Sequence, residues 1–188
     1  IVSELVLKEI DPTILAKNAK ANSEQNPNYD NDGPAAWAFD DENHWWHSRW
    51  SGTANTEAGE VSSGLVTDNP IWIQTGFDAK WYVDSITYTA RDGKQGAINA
   101  YTVSVANLDD PSETPSDNQF EVVKSGNLSD TTDVQTIKLD KAVEATHVRI
   151  TVTSIYLNGG TAHTHAKNIS IFAYDENPNP GEDDDTEL

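Results

Sequence analysis

The sequence predicts an all-β domain, a β-sandwich of the jelly-roll type, on three observations. Residues 97–106 place Tyr101, Val103 and Val105 on one face and Thr102 and Ser104 on the other. Residues 145–155 repeat the pattern, with Val148, Ile150 and Val152 alternating with Arg149, Thr151 and Thr153, so one face is buried and the other wet. Thr, Val, Ile, Tyr and Trp dominate between turn-forming stretches, where helix formers are sparse. Roughly eight strands at such short spacing are the mark of a sandwich.

In chain order, residues 1–10 read as an edge strand or a linker. Residues 12–21 contain Ile14, Leu15 and Ala16 and read as a weak strand, with a helix as the alternative. Residues 22–34 are dense in Asn, Asp, Pro and Gly and read as a loop with Tyr29 in its middle. Residues 51–69 form a second polar loop. Strands are expected at 70–77, 80–89, 97–106, 120–123, 134–139, 145–155 and 168–174. Turns fall at 91–96, 126–133 and 158–160, and a loop with two prolines at 107–118. His163 and His165 fall in the last loop. Residues 175–188 carry seven acids and no base and read as a solvated, disordered linker rather than a cation site. The domain thus spans 11–174, flanked by 1–10 and 175–188.

Residues 36–50 stand apart. They hold Trp37, Trp45, Trp46 and Trp50, four of the six tryptophans, together with His44, His47, Asp40, Asp41, Glu42 and Arg49. Neither a period of 2 nor one of 3.6 fits them, so the segment reads as a structured loop with some rings in a core and others at a site. Trp46 is expected in the core.

Composition narrows the function. The chain has 188 residues, a prior of one domain, with 12 basic and 31 acidic side chains for a net charge of −19. That charge disfavours nucleic acid and anionic membrane surfaces, and a neutral glycan is indifferent to it. No cysteine is present, so neither disulfides nor thiolate chemistry are available. No apolar run of about eighteen residues suggests a membrane span. The chain begins at Ile1 and contains no Met, and we read it as a fragment of a longer protein. No Ser-His-Asp motif or placed acid–base pair argues for an enzyme, and His163-Thr164-His165 lacks a third metal ligand.

The residues around Ala38-Phe39-Asp40 and Trp46-His47-Ser48-Arg49-Trp50 resemble the F5/8 type C (discoidin-like) group. Within that group they resemble the family 32 carbohydrate-binding modules of bacterial glycan-degrading enzymes. The similarity continues at Trp72-Ile73-Gln74, Tyr88-Thr89-Ala90-Arg91, Gly96 to Val105 and Ala166-Lys167-Asn168-Ile169. It covers the chain from about residue 10 to residue 174, and it rests on the Trp-His-Ser and Arg-then-Gly-x-Ile blocks together.

The resemblance implies a non-catalytic module with a shallow sugar site in loops at one end and a structural calcium ion. It places the hydroxyl-binding His at His47, the stacking aromatic at Trp50 and the hydroxyl-binding Arg at Arg91. Gln95 takes the position of the family's Asn, and His163 that of its far-side aromatic. Tyr29 is read as a second platform or as rim packing, and Arg49 as a rim contact. Neutral imidazole can both donate and accept, and a guanidinium fork spans vicinal hydroxyls. For calcium, the implied set is Asp40 and Asp41, carbonyls at Trp37 and His44, and Asn168 where the family has Glu, against an ordinary polar loop. The expected partner is a terminal galactose, N-acetylgalactosamine or N-acetylglucosamine of a mucin-like host glycan. The module would be monomeric, without membrane insertion, and would tether neighbouring domains of a secreted or surface-attached bacterial enzyme. The alternative is a discoidin-type module that adheres to a protein or membrane surface.

Overall fold

The computed structural model describes residues 5–25, 28–50, 61–62, 65–66, 70–160 and 163–181. In chain order the elements are β1 (Lys8–Glu9), α1 (Pro12–Lys17), β2 (Lys20–Ala21), β3 (Asp32–Gly33), β4 (Trp45–His47), β5 (Val61–Ser62), β6 (Leu65–Val66) and β7 (Trp72–Thr89). They continue with β8 (Ala97–Ile98), β9 (Ala100–Ala106), β10 (Glu121–Asn127), β11 (Gln135–Val152), β12 (Ile155–Tyr156), β13 (His165–Ala166) and β14 (Asn168–Tyr174). The chain is all-β, as the alternation predicts, with the discoidin-like sandwich architecture that the resemblance implies.

Two 18-residue strands, β7 and β11, carry the sandwich. The first half of β7 pairs with the second half of β11, and this layer is extended by β2 on one side and by β9 and β10 on the other. The second half of β7 pairs with the first half of β11 and with β14, which carries β1. Ile73, Val103 and Ile150 from the first group and Ile86, Tyr88 and Ile171 from the second are buried in one core.

The sequence reading divides each long strand in two, and the structure corrects this. The polar break at Asp78 bends β7 without ending it. Asp78 adopts φ 56°, and its carboxylate accepts hydrogen bonds from Lys17 and from Asn18 Nδ2 on the neighbouring helix. In β11 the register shifts between Lys138 and Val143 and again between Ala145 and His147. These irregularities bend the strand, and pairing resumes beyond them.

The segment 12–21 resolves toward its helical alternative. Asp11 caps α1 by accepting the Thr13 N–H at 2.9 Å, Pro12 opens the helix, and Leu15 is buried beneath it. Strand β10 runs longer than the expected 120–123. The Arg149 guanidinium lies 4.2 Å from the ring of the adjoining Phe120 and 3.8 Å from the ring of Trp72. Arg149 also donates to Gln74 Oε1 and Asp117 Oδ1, so this buried charge is fully engaged.

The tryptophan-rich segment is more regular than its sequence suggests. A 3₁₀ turn covers Ala35–Ala38, and β4 pairs with β13 and, in parallel, with β3. Trp46 is fully buried, 0% exposed, and its indole N–H donates to the Ser23 carbonyl at 2.9 Å. Apart from β5 and β6, the expected loop at 51–69 lies outside the described residues, as do residues 182–188 of the acidic end. No described helix is long and apolar enough to cross a membrane.

Candidate functional site

Strands β4 and β13 and the 91–96 turn meet at one end of the sandwich around a cavity of about 550 Å³. Its lining is Asp32, His47, Trp50, Arg91, Gln95, Gly159, Gly160 and His163. Five residues proposed from sequence (His47, Trp50, Arg91, Gln95 and His163) are thus brought together from three separate stretches of chain.

Backbone bonds fix the loops relative to one another. Ser48 N–H donates to the Thr164 carbonyl at 2.8 Å, and Thr164 N–H returns a bond to Ser48 Oγ at 2.9 Å. Thr164 Oγ1 donates to the Gly96 carbonyl at 2.8 Å. Gly96 has φ 80°, and a Cβ there would sit 2.0 Å from the His163 carbonyl oxygen, so only glycine permits this approach. The segment before β4 wraps the same strand: Gln25 N–H donates to the His47 carbonyl, and Gln25 Oε1 accepts the Trp50 N–H at 3.0 Å.

His47 is buried, and its Nδ1 lies 2.6 Å from the Ser48 carbonyl. A carbonyl can only accept, so Nδ1 carries the proton and Nε2 of the neutral ring is an acceptor. Burial pushes the His47 pKa below the ordinary histidine value, against the raising effects of the Ser48 carbonyl and of Asp32. Arg91 and His163 add to the lowering. The His163 ring lies 5.9 Å from that of His47, tilted by 46°.

Arg91 lies over the Trp45 ring at 5.6 Å and donates from Nη2 to the Gln95 carbonyl at 3.4 Å. Its Nε is buried without an acceptor among the described residues. Its backbone is held from below by His165, which is fully buried at 0% exposed. His165 Nε2 accepts the Arg91 N–H at 3.1 Å, and Nδ1 donates to the Gln95 carbonyl at 2.8 Å. Burial, reinforced by Arg91 and His47, drives the His165 pKa well below the histidine range, so the ring is neutral.

Trp50 is 39% exposed at the cavity edge. Its indole N–H donates to Asp32 Oδ2 at 2.9 Å, and Tyr29 packs edge-on against it at 5.1 Å and 80°. Tyr29, 57% exposed, stands behind Trp50 rather than in the lining. Arg49 is also outside the lining: the chain leaves β4 after His47, and the Arg49 N–H is tied to Ser23 Oγ at 2.9 Å.

Asp32, His165 and the pair Gly159–Gly160 were not singled out from sequence as site residues. Asp32 had one local signal: Asp30-Asn31 between Tyr29 and Asp32 is a two-residue turn pattern. It forms a tight hairpin in which Tyr29 and Asp32 exchange backbone bonds of 2.9 Å. His165 has none, because it falls in a stretch that reads as loop. The structure instead puts His165 in β13, directly opposite His47.

The side chains proposed for calcium make other contacts in this arrangement. Asp40 Oδ2 lies 2.6 Å from His44 Nε2, and Oδ1 accepts the Glu42 N–H at 3.2 Å, so both oxygens already hold donors. The His44 ring stacks on Trp37 at 4.0 Å and 4°. Asp41 is exposed at φ 57°, and Asn168 Nδ2 donates to Ser170 Oγ. Calcium takes six to eight oxygens, and no group of three or more His, Asp or Glu side chains converges on a metal position among the described residues.

No family model matches the chain. Solved structures do. The module CBM32-5 of CpGH89 from Clostridium perfringens, in complex with GalNAc-β-1,3-galactose, superposes with a TM-score of 0.67 at 23% identity, covering 88% of this chain and 100% of that one. The family 32 module of C. perfringens NanJ, in complex with galactose, gives 0.63 at 21% identity, with 89% and 99% covered. Chitosan-binding module 1 of a chitosanase/glucanase from Paenibacillus sp. IK-5 gives 0.57 at 20% identity, with 84% and 96% covered. Over nearly its whole length, this chain has the fold of the family 32 carbohydrate-binding modules.

Proposed function

We propose that this protein is a non-catalytic carbohydrate-binding module for terminal galactose-type or N-acetylhexosamine sugars. The observation that carries this reading is the convergence, in one open cavity, of the His47 acceptor, the Arg91 donors and the half-exposed Trp50 ring. In it, His47 Nε2 accepts one sugar hydroxyl and Arg91 donates to a neighbouring one. The apolar C–H face of the ring packs on Trp50, which supplies contact area while the hydrogen bonds set orientation. Gln95 and His163 complete the wall.

One exposed sugar buries little surface, so a Kd between about 10 μM and 1 mM is expected for a single site. Such an affinity suits a tethering module, whose neighbours in a longer secreted or surface-attached bacterial protein raise the overall avidity. The host glycan, mucin-like in the simplest case, is then the partner, and an attached enzyme supplies the chemistry.

Titration with galactose, N-acetylgalactosamine and N-acetylglucosamine, followed by amide NMR shifts, tests the reading. Shifts confined to residues 29–50, 91–96 and 158–165 are expected. Shifts elsewhere, or none with any of the three sugars, would reject it.

A further inference from the structure

The cavity contains one full negative charge that the sugar-binding reading above does not use. Asp32 lines it beside Trp50, and its carboxylate bridges two tryptophans: Oδ1 accepts the Trp45 indole N–H, and Oδ2 that of Trp50 at 2.9 Å. No cation pairs with it among the described residues. Arg91, the one arginine in the lining, is engaged with the Gln95 carbonyl and the Trp45 ring. The carboxylate's direct partners are therefore neutral N–H donors, which leave its charge intact beside Trp50, while the positive charge of Arg91 sits elsewhere in the lining, and each oxygen keeps a lone pair for a further donor.

Asp32 is also held rigidly. It pairs in the hairpin with Tyr29, whose ring buttresses the same Trp50, and β3 continues from it in parallel with β4. The adjoining Gly33 admits no side chain, because a Cβ there would meet the Trp37 ring at 2.3 Å. The hairpin cannot swing the carboxylate aside without dismantling this packing.

We propose that Asp32 is a specificity-determining residue, which makes the site accept neutral or amine-bearing sugars and refuse uronic and sialic acids. This rests on the sugar-binding reading and narrows its substrate class. A hydroxyl or ammonium group beside Trp50 donates to the free lone pairs of the carboxylate. A sugar carboxylate brought to the same wall faces a like charge in a partly desolvated cavity, within a molecule of net charge −19.

The test compares galacturonamide with galacturonate at pH 7.5, two ligands of nearly equal shape that differ in charge. The unmodified protein at low ionic strength should bind the amide about tenfold more tightly. In 0.5 M NaCl the ratio should shrink to about threefold or less, because screening then acts within a few ångströms. Asp32→Asn should shrink the ratio at low salt, whereas Asp30→Asn, an equal charge change on the same hairpin outside the cavity, should not. A ratio near one, a ratio that salt leaves unchanged, or equal effects of the two variants would overturn the role of Asp32. The salt series needs no variant, so it decides whether the discrimination is electrostatic even if Asp32→Asn loses the two-indole clasp, and the comparison with Asp30→Asn assigns it to Asp32. Failure of methyl galactoside and both acid-series ligands to bind would overturn the underlying sugar reading. Binding of all three alike would overturn only the selectivity.

Discussion

His165 lies beneath Arg91 and accepts its backbone N–H at 3.1 Å, while its other ring nitrogen donates to the Gln95 carbonyl at 2.8 Å. One fully buried imidazole therefore fixes both ends of the turn that carries two cavity residues. His165→Phe keeps the volume and strands both backbone groups, at a cost of about 1–3 kcal/mol for each. Urea melts should show that loss. Galactose affinity should fall as well, although His165 does not line the cavity. A stable variant with unchanged affinity would mean that the turn needs no such support.

Acid should weaken both fold and binding. His47, His147 and His165 all have pKa values lowered chiefly by burial. In the unfolded chain they titrate near 6.5, so between that pH and their folded pKa values the unfolded state holds more protons. Their contribution is complete above about pH 6.5 and is lost as pH falls through the folded values. Sugar binding should fail in the same direction, because a protonated His47 has no acceptor at Nε2. Melting temperature and affinity measured from pH 7.5 to 5 check both, and affinity that rises in acid would contradict the assigned tautomer.

Trp50 and Tyr29 should separate in their effects. Trp50→Ala removes the exposed ring of the cavity and should abolish detectable monosaccharide binding. Tyr29→Ala removes only the edge-on buttress, an interaction of about 0.5–1.5 kcal/mol, and should weaken binding by about threefold to tenfold. Equal losses in calorimetric titrations would instead make Tyr29 a direct contact.

Calcium should matter little. Asp40 is occupied by His44 and by the Glu42 N–H, and His44 is stacked on Trp37. Melting curves in EDTA and in millimolar calcium should coincide. A calcium-dependent rise of several degrees would show that the loop can open into an oxygen cage.

The fold was largely legible because strand alternation is local: Val148, Ile150 and Val152 declare their buried face in the sequence itself. The continuity of β7 across Asp78 was not, because the lysine and asparagine that engage that carboxylate come from a helix some sixty residues earlier. In the site, His47, Arg91 and Trp50 were visible through family resemblance and residue chemistry. Asp32 and His165 were not, because their roles depend on partners that only the folded chain brings near: two indole N–H groups and the backbone of a distant turn. Trp46 and Trp50 show the limit well. They are four residues apart in one aromatic-rich stretch, and only tertiary packing makes one core and the other surface.

The central claim is that the cavity around His47 binds a terminal sugar. A glycan array probed with the unmodified protein and with His47→Ala tests it most directly. Galactose- or N-acetylgalactosamine-terminated glycans should be retained by the first and lost by the second. Retention that survives the substitution, or an array on which the unmodified protein binds nothing, would contradict the account.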